Sequence, residues 1–385
     1  MPRAAPAPFA ARATDLAALR DAVVDAAGLG TGLWLSYLFV LFYFAIAAGA
    51  VTHRDLLLEN AVKLPFLNVE LPLKAFFILG PLVFLIVHAY VLRHFVLLAG
   101  KVGAFDAELQ AQIGRDDARA QLRRQLPSNI FVQSLAGPRE VRTGVIGFLL
   151  RRAVEISLVA APISLLVLFQ LQFLPYHSEP ITMWQRIAVV IDLILLWLLW
   201  PPIAGGKAEP LTSQDFKRGK VLTWAGISLL PILLVVTIAT FPGEWLEDNL
   251  PAVRLLPTSW EAWTAPSIEA IQKADSGWAT FHELLVAGAP NYVAQRPSSL
   301  WSNVLVLPNF AVGDRVKFDA EGKISIASDS LSLRGRALEG AVFAGAHFAK
   351  ADFTGAQLAG AIFIEADLRE AKFECDSIGQ GPKCA

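Results

Sequence analysis

From Arg336 the chain advances in steps of five: RALEG, AVFAG, AHFAK, ADFTG, AQLAG, AIFIE, ADLRE, AKFEC. The third position of each step is Leu or Phe: Leu338, Phe343, Phe348, Phe353, Leu358, Phe363, Leu368 and Phe373. The first position is Ala in every step but the opening one, where Arg336 stands. A period of five matches neither a helix nor a flat strand. It fits a chain that turns a corner every five residues and sends one large and one small apolar side chain inward on each face. Stacked coils of such a chain bury a continuous interior.

These consecutive steps resemble the pentapeptide-repeat family, whose consensus is A-(D/N)-L-x-x. The resemblance implies a short right-handed quadrilateral β-helix with twenty residues per coil. Leu338 would then stack on Leu358, Phe343 on Phe363 and Phe353 on Phe373, with Phe348 over Leu368 as the mixed pair. The array amounts to two coils and rises only ~10 Å at the spacing of paired strands. Leu333 is a candidate for one further unit. Repeat arrays need neighbours and caps, so the strand-rich segment upstream is expected to cap one end and a Cys375–Cys384 loop the other. Some soluble members mimic duplex DNA, a role that calls for a long, acidic, cytosolic array. The stretches THRDLLL at 52–58 and LPFLNVELPL at 64–73 are similar to bacterial multi-pass proteins that carry such repeats, which implies a bacterial inner membrane and no established activity.

The rest of the chain is dominated by apolar blocks. Only 17% of residues are charged while 55% are hydrophobic, where soluble chains carry about a quarter charged. Five blocks are long enough to cross ~30 Å of hydrocarbon as helices: 33–51, 75–98, 153–174, 187–204 and 221–241. They are apolar on all sides, which rules out the alternation of lipid-facing strands. Pro81, Pro162 and Pro231 lie inside three of them. Ahead of the first block, Thr14–Ala27 has helical spacing with Thr14 as a plausible N-cap, and is expected to lie on the membrane surface.

Lys and Arg in the loops set the orientation. Loop 101–152 holds Lys101, Arg115, Arg119, Arg123, Arg124, Arg139, Arg142, Arg151 and Arg152, and loop 205–220 holds Lys207, Lys217, Arg218 and Lys220. By contrast 52–74 holds Arg54, Lys63 and Lys74, and 175–186 only Arg186. Both basic loops are therefore expected in the cytoplasm, with the N-terminus inside and everything after Phe241 outside. Cys375 and Cys384 would then meet the oxidising side, either as a disulfide or as two lone thiols.

No catalytic residue, cofactor or metal site is expected. His282–Glu283 opens an HExxH-like stretch but lacks the second His, and the glycines at 28–32 follow no strand. Net charge is −1, so no basic field exists to hold nucleic acid. Intramembrane ionisable residues are the best candidates for a site: Asp192 in the fourth block, His88, Arg93 and His94 in the second, and Glu155 at the inner end of the third. Arg93 and Glu155 fall at similar depth and could pair. The alternative is that these groups serve helix packing.

The expectation is a membrane all-α bundle of about five helices followed by a small mixed domain. The tail and surface helix fill 1–32, and the membrane part 33–241 with cytoplasmic loop 99–152. A linker domain spans 242–330, with a helix over 277–287 and short strands in VLVLP, DRVKF and KISIA; the repeats and their cap fill 331–385. Its partners are the lipid bilayer and another protein, met through side chains such as Asp352, Gln357, Asp367 and Arg369. The function read from this is a membrane-anchored interaction or scaffold protein; a channel or transporter using the polar intramembrane residues is the alternative.

Overall fold

A computed structural model describes residues 15–64, 69–206, 218–246, 284–286, 290–291, 296–311, 316–318, 324–326 and 331–375. Three long rods are α1 (Leu16–Gly49), α3 (Leu73–Gln112) and α9 (Glu179–Gly205). Another, third in chain order, is Gly144–Tyr176, built from α7 (Gly144–Glu155), a π-turn (Ile156–Ala160), α8 (Ala161–Phe173) and a closing 3-10 turn. These four described helices are long and apolar enough to cross a membrane, which indicates membrane association. Phe39, Phe42 and Ile86 are each more than 60% exposed in the folded chain. Water would penalise that surface at ~25 cal/mol per Å², and hydrocarbon does not.

One expectation needs correction. The stretch Thr14–Ala27 does not form a separate surface helix, because α1 runs from Leu16 through the glycines at 28, 30 and 32 without a break. Thr14 lies outside the described residues, and Asp15 is the group that accepts the Ala17 N–H at 2.9 Å. Gly30 explains the continuity: a Cβ there would lie 3.3 Å from the Leu98 side chain, so its absence lets α3 approach. Of the fifth block, residues 221–238 are helical, within α10 (Arg218–Leu233) and a second π-turn (Leu234–Ile238) that follows it.

Smaller elements fill the connections. After α1 comes α2 (His53–Leu58), opened by a capping box between Thr52 and Asp55. A hairpin of β1 (Val62–Leu64) and β2 (Val69–Leu71) follows, unforeseen from the sequence. The charged helix beyond α3 breaks around Gly114, where α3 ends at Gln112 and α4 (Asp116–Arg124) begins. Then come α5 (Ile130–Ala136) and α6 (Arg139–Arg142). Of the helix expected over 277–287, only Leu284–Val286 is described. The two-residue strands β3 (Pro290–Asn291) and β4 (Arg296–Pro297) pair with each other. The DRVKF and KISIA stretches pair as antiparallel β5 (Val316–Phe318) and β6 (Ile324–Ile326).

In the repeats, parallel bridges join residues twenty apart: Ser332 to Asp352, Ala337 to Gln357, Val342 to Ile362, His347 to Asp367 and Asp352 to Lys372. The fifth residue of the first seven steps, and Gly335 just ahead of them, turns the corner at positive φ. Gly335, Gly340, Gly345, Gly355 and Gly360 do so freely, while Lys350, Glu365 and Glu370 adopt the same φ of 57–62°, a conformation that disfavours other L-residues by ~1–2 kcal/mol. This regular ladder suggests a β-helix. Like stacks on like, with Phe343 and Phe363 rings 5.4 Å apart and Phe353 and Phe373 5.0 Å apart and nearly parallel. Leu333 is buried on the same phase.

Segment 305–309 imitates one unit. Val306 bridges Val342, and Asn309 takes the left-handed turn position. Val304, Val306, Val342 and Ile362 form one apolar column. This end of the array is thereby capped.

The chain packs as two compact units. One gathers Met1–Phe42, Phe84–Ile163 and Ile191–Ala225; the other gathers Tyr43–Val83, Ser164–Val190 and Gly226–Ala385.

Burial of the repeat core is uneven. Phe348 is 1% exposed and Phe373 45%. Phe348→Ala should therefore destabilise the protein by ~3–5 kcal/mol and Phe373→Ala by well under half as much, read as thermal unfolding of the purified chain. Equal losses would contradict this packing.

Candidate functional site

In the first unit the two π-turn neighbours Ala161 and Pro162 disrupt the carbonyl ladder. The Ala161 N–H bonds to Ile156 O, five residues back, so Ser157 O loses its ordinary partner. Pro162 has no N–H to offer Leu158 O, four residues back. Side chains from other helices take up both carbonyls. The Tyr37 hydroxyl donates to Ser157 O at 3.0 Å, and His88 Nε2 lies 3.2 Å from Leu158 O. A carbonyl only accepts, so His88 carries its proton on Nε2.

His88 Nδ1 lies 2.6 Å from Asp192 Oδ1, and both side chains are fully buried. With Nε2 already protonated, one further proton sits between Nδ1 and Oδ1. The pair is net neutral whether that proton is on the imidazole or on the carboxyl, which is how a charge-capable pair survives in an apolar interior. The imidazole packs beside both Tyr37 and Phe84, with ring centroids 5.7 and 5.9 Å away. Asp192 Oδ2 is buried without a hydrogen-bond partner among the described residues.

The other intramembrane candidates do not join this pair. Arg93 and His94 follow His88 by five and six residues, about 140° and 240° around the helix. Arg93 is exposed, and His94 packs beside Gly30. Glu155 does not pair with Arg93; it is bonded to Arg152, one helical turn away, at 2.5 Å. Local i,i+3 geometry outcompetes a partner on another helix.

The second unit holds a parallel arrangement at the second π-turn. The Ala239 N–H bonds back to Leu234 O and leaves Val235 O free. Gln170 Nε2 donates to Val235 O and Ala239 O, both at 3.0 Å, and Arg186 donates to the same two carbonyls at 2.8 and 2.9 Å. Arg186 also forms a buried two-pronged ion pair with Glu244.

The repeats are fastened to helix ends within this same unit. Arg336 donates to Leu56 O and Leu57 O, both at 3.0 Å, and to Glu59 at 3.1 Å. It thereby caps the C-terminal end of α2, where a cation meets the helix dipole favourably. Its guanidinium also lies over the Tyr176 ring, 4.5 Å from the centroid. The Tyr176 hydroxyl donates to Glu59 at 2.5 Å, and Lys74 joins at 3.2 Å. Burial works against ionisation of Glu59, but Tyr176, Arg336 and Lys74 outweigh it and hold the carboxyl below its usual range.

Two histidines complete the attachment. His177, in a left-handed turn, places Nε2 2.7 Å from Asn303 O and Nδ1 3.3 Å from Glu339, and stacks on Phe241. His53 Nδ1 accepts the Val306 N–H at 3.0 Å, and burial pushes its pKa down to about 4. The sequence reading passed over Arg186, His177 and Glu244. The one signal it held for the attachment was the Arg336 departure from alanine.

On the repeat surface, Gln357 and Arg369 are exposed. Asp352 and Asp367 are not free to be presented. Asp352 accepts from the Thr354 N–H and hydroxyl, and Asp367 clamps the Arg369 guanidinium at 2.8 Å. That clamp holds the Asp367 carboxyl down near a pKa of about 2. Cys375 is disulfide-bonded, and Cys384 lies outside the described residues.

A family model for pentapeptide repeats matches residues 338–374 in eight copies. No curated protein and no solved structure matches the chain.

Breaking a buried pair by removing one partner costs ~3–5 kcal/mol. Asp192→Leu and His88→Phe should each approach that loss in detergent unfolding, and the double variant should lose clearly less than their sum. Additive losses would deny the coupling. His53 gives a pH signature. Its folded pKa of about 4 lies below the ordinary 6.5, so the unfolded chain binds more protons in that window and stability falls as pH drops from 6.5 to 4. His53→Asn should flatten the melting temperature over that window relative to the parent.

Proposed function

Starting from eight pentapeptide repeats carried on helices of membrane-crossing length, we propose that the protein is a membrane-embedded scaffold. It holds a short, right-handed quadrilateral β-helix beyond the lipid as a rigid protein-interaction surface. One observation carries this reading: the repeats are bolted to helix ends rather than hung on a tether. Arg336, Glu339 and Val306 each bond to residues flanking the long helices. A tethered module has no use for such contacts, whereas a surface held at fixed orientation does. The twenty-residue ladder with one corner per five residues supports the four-faced coil.

Chain parity supports a fifth crossing. The segment after the first long helix, holding Leu56–Glu59, and the one after the third, holding His177, lie on one side of a membrane by count. The repeats bond to both. The fourth long helix ends at Gly205 on the opposite side, so the chain has to return before Asn303. Arg218–Ile238 is the helical segment available, and it spans about 30 Å. The basic loops then favour the cytoplasm for 99–152 and the outer side of a bacterial inner membrane for 242–385. The Cys375 disulfide fits an oxidising compartment.

A channel or carrier fits less well. His88 and Asp192 are bonded to each other at zero exposure, Arg93 is exposed, and Glu155 is spent on Arg152. A structural role for the pair therefore suffices, and the reading needs no enzyme activity.

A photo-crosslinking residue in place of Gln357, compared with one in place of Phe42, tests the scaffold in cells. Discrete protein adducts at position 357 and none at position 42 are expected. Adducts absent from position 357, with the protein folded and in the membrane, would sink the reading.

A further inference from the structure

A cavity of about 300 Å³ in the first unit is lined by α5, α6, α7 and the C-terminal end of α9. Its walls are apolar, with Phe131, Val154, Trp200 and Ile203, and two guanidiniums, Arg142 and Arg151, line it as well. The arginines around it are not equivalent. Arg123, Arg124 and Arg152 are paired with Asp106, Glu140 and Glu155. Arg142 and Arg151 have no carboxylate partner among the described residues, and donate only to the carbonyls of Leu135 and Arg142. Arg142 Nε is buried without a hydrogen-bond partner among the described residues. Burial, and then the nearby Arg123 charge, push the Arg142 guanidinium below its ordinary pKa. Glu155 also lines the cavity, and Arg152 neutralises it.

The surroundings belong at a lipid boundary. The rod Gly144–Tyr176 has 33 residues, about 50 Å, against ~30 Å of hydrocarbon. Its first turns, which hold Arg151 and Arg152, therefore reach headgroup level. On those turns Val145, Ile146, Phe148 and Leu149 are all exposed. Two cations with no carboxylate bonded to them among the described residues, beside apolar walls at that depth, match a ligand with an anionic head and a hydrocarbon tail.

We propose that this cavity binds an anionic phospholipid, its phosphate held by Arg142 and Arg151 and an acyl chain lying along Trp200 and Ile203. The site would anchor the connection between α3 and the third long helix to the membrane surface, independently of the repeat domain.

Native mass spectrometry of the full chain in detergent tests the proposal, titrating phosphatidylglycerol, phosphatidylcholine or inorganic phosphate. Retained phosphatidylglycerol is expected, with little phosphatidylcholine and no displacement by phosphate. Arg142→Gln with Arg151→Gln removes two charge-assisted hydrogen bonds and should weaken phosphatidylglycerol binding at least ~tenfold. The control pair Arg115→Gln with Lys63→Gln removes the same charge from exposed side chains that do not line the cavity and should leave binding unchanged. Equal losses in both variants, no loss in the first, or ready displacement by phosphate would each overturn the proposal. If the first variant does not fold, Arg151→Gln alone, at an exposed side chain, should give a partial loss; none would overturn it.

Discussion

A backbone carbonyl buried in apolar surroundings costs of the order of 1–3 kcal/mol when it has no donor, and inside lipid no water is at hand to supply one. This chain departs from regular helical bonding at two π-turns, and at both the freed carbonyls are met by side chains from elsewhere. Ser157 and Leu158 are served by Tyr37 and His88, and Val235 and Ala239 by Gln170 and Arg186. Each donor brings its own requirement. His88 needs Asp192 to share a proton, and Arg186 needs Glu244 as counter-ion. The polar residues within these apolar helices are thus largely consequences of where the helices widen. Pro162 sits four residues beyond Leu158, where its missing N–H creates the vacancy that His88 fills.

The same accounting governs the join between repeats and helices. The helix α2 ends with carbonyls at Leu56 and Leu57, and its donor is Arg336 from the first repeat unit. One side chain caps a helix, pairs with Glu59 and stacks on Tyr176. The attachment uses fixed, directional bonds, so the orientation of the repeats is specified as well as their tethering. The array itself is short, and the imitation unit at 305–309 supplies the neighbour that two coils lack.

The repeat phase and the long apolar helices were legible from the residues, because each is a local property of a continuous stretch, while the twenty-residue stacking followed from the family resemblance. The separate surface helix was misplaced because helical spacing over a short stretch does not say where the helix ends: α1 runs on through the glycines at 28–32, one of which is where α3 packs closely. The proposed Arg93–Glu155 pair failed because depth along a helix says nothing about azimuth, and Arg152 was nearer. The hairpin of β1 and β2 has no alternation strong enough to announce it.

What the sequence determined alone was composition-driven and local: which stretches prefer hydrocarbon, which turn every five residues, and which position must be small. Those preferences follow from side-chain size and polarity at fixed spacing, and no distant contact is needed to express them. Only the tertiary structure decided that His88 faces Asp192, that His177 grips Asn303 and that Arg336 closes α2. Each of these joins residues 70 or more apart along the chain. A hydrogen-bond partner at that separation is chosen by which carbonyl the fold leaves unpaired, and that vacancy exists only once the helices have packed.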